Sequence, residues 1–141
     1  MDPFAWTVNT PWEFLTLRFL PVLRGLIVRE LLSHHGLRQT EVARAMGITQ
    51  PAVSLYAHGC RGADTEILAT YPELPSWARE IAQRISAGAG QHEQTVLMSR
   101  ASEEIRRLER FCTQHRAESH VPDCNVCYDP KFRGSPVSLL E

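Results

Sequence analysis

The chain has 141 residues, of which 43% are hydrophobic and 22% are charged, an ordinary composition for one compact domain or for a small domain with an appendage. Its formal net charge of −1 excludes a protein that coats nucleic acid by charge alone. The N-terminus lacks a basic segment followed by an apolar core, and arginines interrupt the most apolar stretch, residues 14–32, so we expect a cytoplasmic protein without a signal peptide or a membrane span.

The first predicted element is a helix that begins after Thr10. Thr10 is followed by a proline and, three residues on, by Glu13, which is the pattern of a capping box with proline in the first turn. Apolar residues then recur at helical spacing across residues 14–32. Because Pro21 lacks a backbone donor and its ring clashes with the preceding turn, we expect it to kink or split this helix, which Gly36 then ends.

Two short helices joined by a glycine are predicted next. The first covers residues 39–46, and Gly47 supplies the turn, since a positive φ costs little only for glycine. Thr49 then caps the second helix, in which Val53 and Tyr56 face inward. One packed face and one free face are typical of a helix-turn-helix that enters the major groove. The residues on the free face are Gln50, Ser54 and Leu55, with His58 just beyond.

A helical hairpin in any small α-helical protein is the alternative to a DNA-binding pair. The free face of the second helix favours DNA, because it is small and hydrogen-bonding and lacks the Glu and Lys of a plain solvated surface. The local charge agrees, since across residues 37–62 a single acid, Glu41, stands against three arginines. A basic patch on a nearly neutral chain indicates selective binding of nucleic acid and not general binding.

The remainder of the chain is also predicted to be helical, with no strand and no internal repeat, so the fold class is all-α. We expect a short helix near residues 64–70, a helix capped by Ser76 that ends near residue 86, a flexible joint at “SAGAGQ” and a long helix over residues 93–118. The expected segments are a helix-turn-helix DNA-binding domain over residues 1–62, a helical connector over residues 63–91, and the long helix with a cysteine-rich tail over residues 92–141.

One stripe of the long helix is predicted to pack against another helix, within or between chains. Its members recur at steps of four and three residues, as in a helix–helix seam. This stripe and the apolar first helix are both candidate surfaces for a homodimer. The stripe comprises Ala101, Ile105, Leu108, Cys112 and His115.

Two pairs of potential metal ligands lie close together near the C-terminus. Cys112 and His115 are spaced C-x2-H and share a helix face. Cys124 and Cys127 are spaced C-x2-C, a turn that brings two thiolates together. These four ligands suit a tetrahedral Cys3His zinc site, and the thiolates suit an iron–sulfur cluster. The spacing favours one metal centre over unrelated buried cysteines and leaves zinc and iron–sulfur open.

The stretch “LRQTEVARAMGITQPAVSLYAHGCRG” resembles the phage-repressor-like (Xre-type) helix-turn-helix. Together with “PWEF” and “FLPVLRGLIVRELL” before it, and with the cysteine-rich C-terminus, it gives the chain a resemblance to a family of predicted transcriptional regulators best represented in archaea. Members of that family have a leucine-proline inside the first helix. The resemblance covers most of the chain, is strongest over residues 11–62, and implies a class of function without a target gene.

The resemblance also implies roles at DNA for individual positions. Gln39 would touch a phosphate or brace the second helix. Gln50 would meet a base edge, and glutamine suits adenine because it gives and accepts one hydrogen bond each in the major groove. The arginines are candidates for phosphate contacts, with a solvated surface charge as an equal alternative for each. The residues expected at DNA are Arg38, Gln39, Thr49, Gln50, Ser54, His58 and Arg61, with Arg44 as a further phosphate candidate.

In one respect the chain departs from the family pattern, which has a further C-x2-C pair upstream of the C-x2-H. That region here contains Ser99 and Ser102 and no thiol. The chain is therefore expected to hold a different centre from its relatives, or to complete one with Cys60. For Cys60, a free thiol in a loop is the favoured alternative.

These features predict a sequence-specific transcriptional regulator that binds double-stranded DNA as a homodimer and has one zinc or iron–sulfur centre that stabilises or senses. A dimer is expected because one short helix contacts too few base pairs for useful specificity. The alternative is a protein-interaction module, such as an antitoxin or adaptor, with a structural zinc. An enzyme is not expected, since the sequence has no serine–histidine–acid set, glycine-rich phosphate loop or paired carboxylates in an apolar setting.

Overall fold

A computed structural model describes residues 9–129; the outer ends of the predicted terminal segments, residues 1–8 and 130–141, lie outside the described residues. Across residues 9–129 the chain is helical and contains no strand, which confirms the all-α prediction. No helix in this range is both long enough and apolar enough to cross a membrane. The helices are α1 (Pro11–Phe14), α2 (Leu20–Ser33), α3 (Gln39–Met46), α4 (Gln50–Ala57), α5 (Thr65–Thr70), α6 (Leu74–Ser86), α7 (Gln91–Arg106) and α8 (Glu109–Glu118), with a π-helical segment, Leu15–Phe19, between α1 and α2.

The described residues form two compact units. The larger unit is Arg18–Ala101, and the smaller one combines the beginning of the chain, up to Leu17, with its end, from Ser102 onward. These limits differ from the boundaries predicted at residues 62 and 91. The reason is that α6, in the predicted connector, packs along α2, which also contacts α3 and α4. The connector therefore shares one core with the helices before it.

The core of the larger unit lies between α2 and α6. Both helices place a stripe of apolar side chains on the shared side, as their helical spacing predicts. Next to this core, Phe19 and Tyr71 meet edge-on, with ring centroids 6.2 Å apart. The buried members are Val22, Leu23, Ile27, Val28 and Leu31 on α2, and Leu74, Ala78, Ile81, Ala82 and Ile85 on α6.

The predicted first helix changes from α-helical to π-helical hydrogen bonding just before Pro21. Thr10 caps α1 as predicted: its hydroxyl accepts a hydrogen bond from the Glu13 N–H (3.1 Å), and the Glu13 carboxylate accepts one from the Thr10 N–H (3.1 Å). The π-helical segment Leu15–Phe19 follows before α2 begins. In a continuous α-helix Pro21 would have to donate to the carbonyl four residues earlier, and the wider π turn accommodates the missing donor.

α6 begins earlier than the sequence indicates. It starts at Leu74, before the predicted cap Ser76. Pro75 occupies the first turn, where a backbone donor is not needed, and Leu74 is fully buried. The position of the proline and the burial of the leucine therefore decide the start of the helix.

The prediction of one long helix over residues 93–118 was wrong, because α7 and α8 are separate helices. They meet at Leu108, whose backbone is extended (φ −80°, ψ 135°) and whose side chain is half-buried. On one continuous helix, Ile105 and Phe111 would point about 120° apart. With the break, both are fully buried, and Phe111 contacts Phe14 edge-on at 5.1 Å between ring centroids. Burial of this second ring explains a break where the sequence has neither proline nor glycine.

Gly62 marks a close backbone approach between the loop after α4 and the start of α2. Its φ is +71°, and a β-carbon on it would overlap the carbonyl oxygen of Pro21. A β-carbon on Gly25 would in turn lie 3.1 Å from the Gly62 carbonyl oxygen. The loop therefore lies directly against the first turns of α2, so close that only glycine fits at position 62.

Gly62→Ala is expected to destabilise the protein more than Gly36→Ala. Gly36 has a similar φ of +65°, but nothing lies within 4 Å of the place its β-carbon would take. Alanine there costs only the left-handed backbone conformation, about 1–2 kcal/mol. At Gly62 the overlap with a backbone carbonyl adds to that cost. Urea denaturation of both variants measures the difference in the free energy of unfolding, and equal losses would show that the loop moves aside freely.

Candidate nucleic-acid interface and cysteine cluster

α3 and α4 have the limits that the sequence predicts, and Gly47 joins them. Gly47 adopts the left-handed conformation (φ 67°, ψ 32°), and the Thr49 hydroxyl accepts a hydrogen bond from the Ala52 N–H (3.2 Å) as the cap of α4. Val53 and Tyr56 are buried on the inner side of α4. The outer side of α4 is thereby left facing solvent from its first residue onward.

Gln39 and Gln50, the first residues of α3 and α4, are joined by a hydrogen bond. The Gln50 Nε2–H donates to the Gln39 Oε1 over 2.8 Å. Gln39 is half-buried, whereas Gln50 is exposed. Gln39 therefore braces the exposed side chain of Gln50.

Ser54 and His58 form a second linked pair on the outer side of α4. The His58 Nδ1 lies 2.8 Å from the Ser54 carbonyl oxygen and 3.4 Å from the Ser54 hydroxyl. Because a carbonyl oxygen only accepts, Nδ1 carries the proton, and Nε2 remains outside both contacts. Next to this pair, Leu55 is 38% exposed and adds an apolar surface.

The three candidate arginines have different surroundings. The Arg38 Nε donates to the Glu41 carboxylate over 2.8 Å, and the same oxygen accepts from the Arg38 N–H (3.1 Å). These hydrogen bonds lower the pKa of Glu41 and raise the pKa of Arg38. Arg61 lies over the Tyr56 ring at 5.7 Å from its centroid, and Arg44 is exposed in the last turn of α3. Arg38 therefore presents a charge that Glu41 already compensates.

Two supporting residues were missed by the sequence prediction. The Arg29 Nη1, on α2, donates to the Tyr56 carbonyl oxygen over 2.9 Å, at the C-terminal end of α4 where the helix dipole favours a cation. The Gln94 Nε2, on α7, donates to the carbonyl oxygens of Ala45 (2.7 Å) and Ala89 (2.9 Å), and Gln94 is only 7% exposed. Tertiary packing brings the Tyr56 and Ala45 carbonyls near these side chains, so no local signal identifies the two long-range bonds.

Cys112 and Cys127 form a buried thiol pair in the smaller unit. Cys112, on α8, is 4% exposed, and Cys127, in the turn that follows, is 5% exposed. The Cys127 and Tyr128 side chains lie near Cys112. Burial, followed by the neighbouring Cys127, raises the pKa of the Cys112 thiol, which is therefore protonated at neutral pH.

The other two predicted ligands are not grouped with this pair. The His115 Nε2–H donates to the Asn9 carbonyl oxygen (2.7 Å), and the Cys124 carbonyl oxygen accepts from the Arg116 Nε (2.6 Å). Within residues 9–129, no three His, Cys, Asp or Glu side chains are grouped as metal ligands. Cys60 is exposed in the loop after α4. In this arrangement the four predicted ligands do not fit a tetrahedral site, and the zinc or iron–sulfur centre stays a prediction.

Comparison of the chain with protein-family models, with curated proteins and with solved structures finds no match. The resemblance to Xre-type regulators therefore stays a prediction. A functional assignment depends on the geometry of the described residues.

Glu41→Gln is expected to flatten the acid side of the stability profile. The hydrogen bonds from Arg38 lower the pKa of Glu41 below the usual glutamate value of about 4.3. A carboxyl group with a lowered folded-state pKa stabilises the fold above that usual value, and the contribution is lost as the pH falls through the folded-state pKa. The free energy of unfolding, measured from about pH 6 to about pH 2, should fall less steeply in the variant. Glu80→Gln, at an exposed position of α6, is the control, and identical slopes for parent and Glu41→Gln would contradict the prediction.

Proposed function

We propose that this protein is a sequence-specific DNA-binding transcriptional regulator, in which α3 and α4 form a helix-turn-helix of the phage-repressor type. The observation that supports this function most directly is the hydrogen bond from Gln50 to Gln39. A hydrogen bond that involves an exposed side chain contributes little to stability. Its main effect is to hold the amide of Gln50 in one orientation at the start of α4, ready for a ligand.

The orientation of Gln50 suits an adenine in the major groove. Its Nε2 has two protons, and one of them is used in the bond to Gln39. The second proton and the Oε1 remain to donate to N7 and accept from the N6 amine of adenine. Because Gln39 already restricts the Gln50 side chain, Gln50 should lose less conformational entropy on binding than a free glutamine would.

The neighbouring outer residues of α4 extend the same surface. The Ser54 hydroxyl both donates and accepts, and its link to His58 restricts where it lies. Leu55 is exposed next to it, and an apolar side chain at that place suits a thymine methyl group. A surface of this kind can distinguish A·T from G·C pairs in the major groove, because it offers partners for adenine and for the thymine methyl group.

The active form is a homodimer. α4 has eight residues and can reach only a few base pairs, which is too little for useful discrimination against a genome. Two copies related by a two-fold axis would contact two half-sites about one helical turn apart. The recognised DNA should therefore be a palindrome or close to one.

The double substitution Gln50→Ala and Ser54→Ala is expected to abolish sequence preference while leaving the fold intact. The cognate site can be selected by the parent protein from a random duplex library at physiological salt. The affinity ratio between that site and a scrambled one should fall by about 1–3 kcal/mol for each base-specific interaction that the substitutions remove. Gln39→Ala should have a smaller effect, because it removes the brace and leaves the Gln50 amide in place.

Gln83→Ala, at an exposed position of α6, is the matched control for removing a surface amide. A double variant that still discriminates as the parent does would show that α4 does not contact the bases. A parent protein that selects no sequence and fails to bind its own upstream DNA would favour the protein-interaction module instead.

Arg61→Gln is expected to weaken binding to all sequences alike and to reduce its salt dependence. Removing one arginine–phosphate interaction should lower the slope of log K against log salt by about 1. Arg79→Gln removes an exposed charge from α6, which is outside the proposed helix-turn-helix, and should leave the slope unchanged. An Arg61 variant with the parental slope would show that this residue does not bind a phosphate.

A further inference from the structure

The last turn of α3 is held by two side chains that lie outside α3 and α4. The Ala45 carbonyl is one of the carbonyls at the end of α3 for which the helix itself has no N–H donor. Its oxygen accepts from the Gln91 Nε2 over 3.1 Å and from the Gln94 Nε2 over 2.7 Å. Both glutamines belong to the first turn of α7. The two lone pairs of this oxygen are therefore both used by α7.

Gln94 also joins the end of α3 to the chain that precedes α7. Its Nε2 donates a second time, to the Ala89 carbonyl oxygen over 2.9 Å, and its side chain is buried. A buried amide that loses such partners is costly, so this position is well defined. Arg84 of α6 and Glu93 of α7 form an ion pair (3.0 Å) beside it, and α6 packs along α2. The end of α3 is thus bound to helices that the core of the larger unit places.

Gln91 covers the connection between α3 and α4. A β-carbon on Gly47 would lie 2.8 Å from the Gln91 Nε2, so the amide lies directly against this glycine. Thr49, the cap of α4, follows two residues later. The first turn of α7 therefore contacts both the end of α3 and the turn that sets the direction of α4.

We propose that the first turn of α7 positions α4 for DNA, with Gln94 as the principal positioning residue and Gln91 as the second. This inference rests on the proposed function and extends the DNA-binding apparatus beyond α3 and α4. The hydrogen bond from Gln50 to Gln39 joins the first residues of the two helices, and it persists only while the angle between them is kept. Gln94 secures that angle from the other end of α3.

Positioning of this kind couples the docking of α7 to the recognition of DNA. If Gln94 holds α4 in the orientation that fits a cognate site, binding of that site must in turn favour the form in which Gln94 is docked. A scrambled duplex is bound mainly through its phosphates, which carry no sequence information. It therefore requires no single orientation of α4 and should not affect the docking of Gln94.

Gln94→Met tests the proposal in the full-length protein. Methionine is a flexible side chain that fills space in a core, and its thioether donates no hydrogen bond. The ratio of the affinities for the cognate and the scrambled duplex should fall at least about fivefold, the lower end of the loss for one base interaction. The affinity for the scrambled duplex should stay at the parental value. Gln91→Met should lower the ratio less, and Gln83→Met, at an exposed position of α6, should leave it unchanged.

Measurement at a temperature at which every variant is fully folded separates positioning from a purely structural role. A role in stability alone would lower the thermal midpoint of Gln94→Met and leave the affinity ratio at the parental value, which would overturn the proposal. A parent protein that selects no sequence would remove the proposed function and this inference together. A selective parent with an unaffected Gln94→Met variant would remove this inference alone.

Nuclear magnetic resonance of the parent protein decides the question if Gln94→Met fails to fold. Cognate DNA should slow the exchange of the Gln94 side-chain amide protons with water, and the scrambled duplex should not. Equal exchange rates with the two duplexes would show that the docking of α7 and the recognition of DNA are independent, contrary to the proposal.

Discussion

Burial of the apolar face of α2 is the interaction on which the larger unit depends. Leu23, Ile27 and Leu31 are fully buried, and burial of an aliphatic side chain of this size contributes about 1.5–3 kcal/mol. α3 and α4 have eight residues each, too few for an isolated helix to be stable, so contact with α2 is what keeps them folded. Apolar packing does not fix the orientation of exposed side chains. The hydrogen bond between Gln39 and Gln50 fixes the orientation of the exposed Gln50 amide.

The parts of this fold that the sequence predicts are those decided within a few residues. A left-handed glycine, a capping threonine and a proline in the first turn each act locally, so the limits of α3 and α4 follow from Gly47, Thr49 and Pro51. The break between α7 and α8 is of another kind. It depends on the burial of Phe111 against Phe14, at the opposite end of the described chain, and no pattern near Leu108 contains that information.

The candidate sites show the same division. Spacing alone places Gln50 and Ser54 on one side of α4, and it places Cys112 on the buried side of α8. It does not reveal that Arg29 binds the end of α4, because that bond joins two helices. Nor does it decide which cysteine of the C-x2-C pair meets Cys112, since the path of the chain after α8 settles the choice.

The double hydrogen bond of Gln94 limits how the chain can vary in length. One amide nitrogen reaches the Ala45 carbonyl at the end of α3 and the Ala89 carbonyl in the turn before α7. An insertion or deletion between α6 and α7 would shift Ala89 relative to Ala45 and break one of the two bonds, leaving a buried polar atom unsatisfied. We therefore expect the glycine-containing “SAGAGQ” stretch, whose composition is that of a spacer, to keep its length. Surface loops generally tolerate the gain and loss of residues, whereas this one is tied through Gln94 to the end of α3.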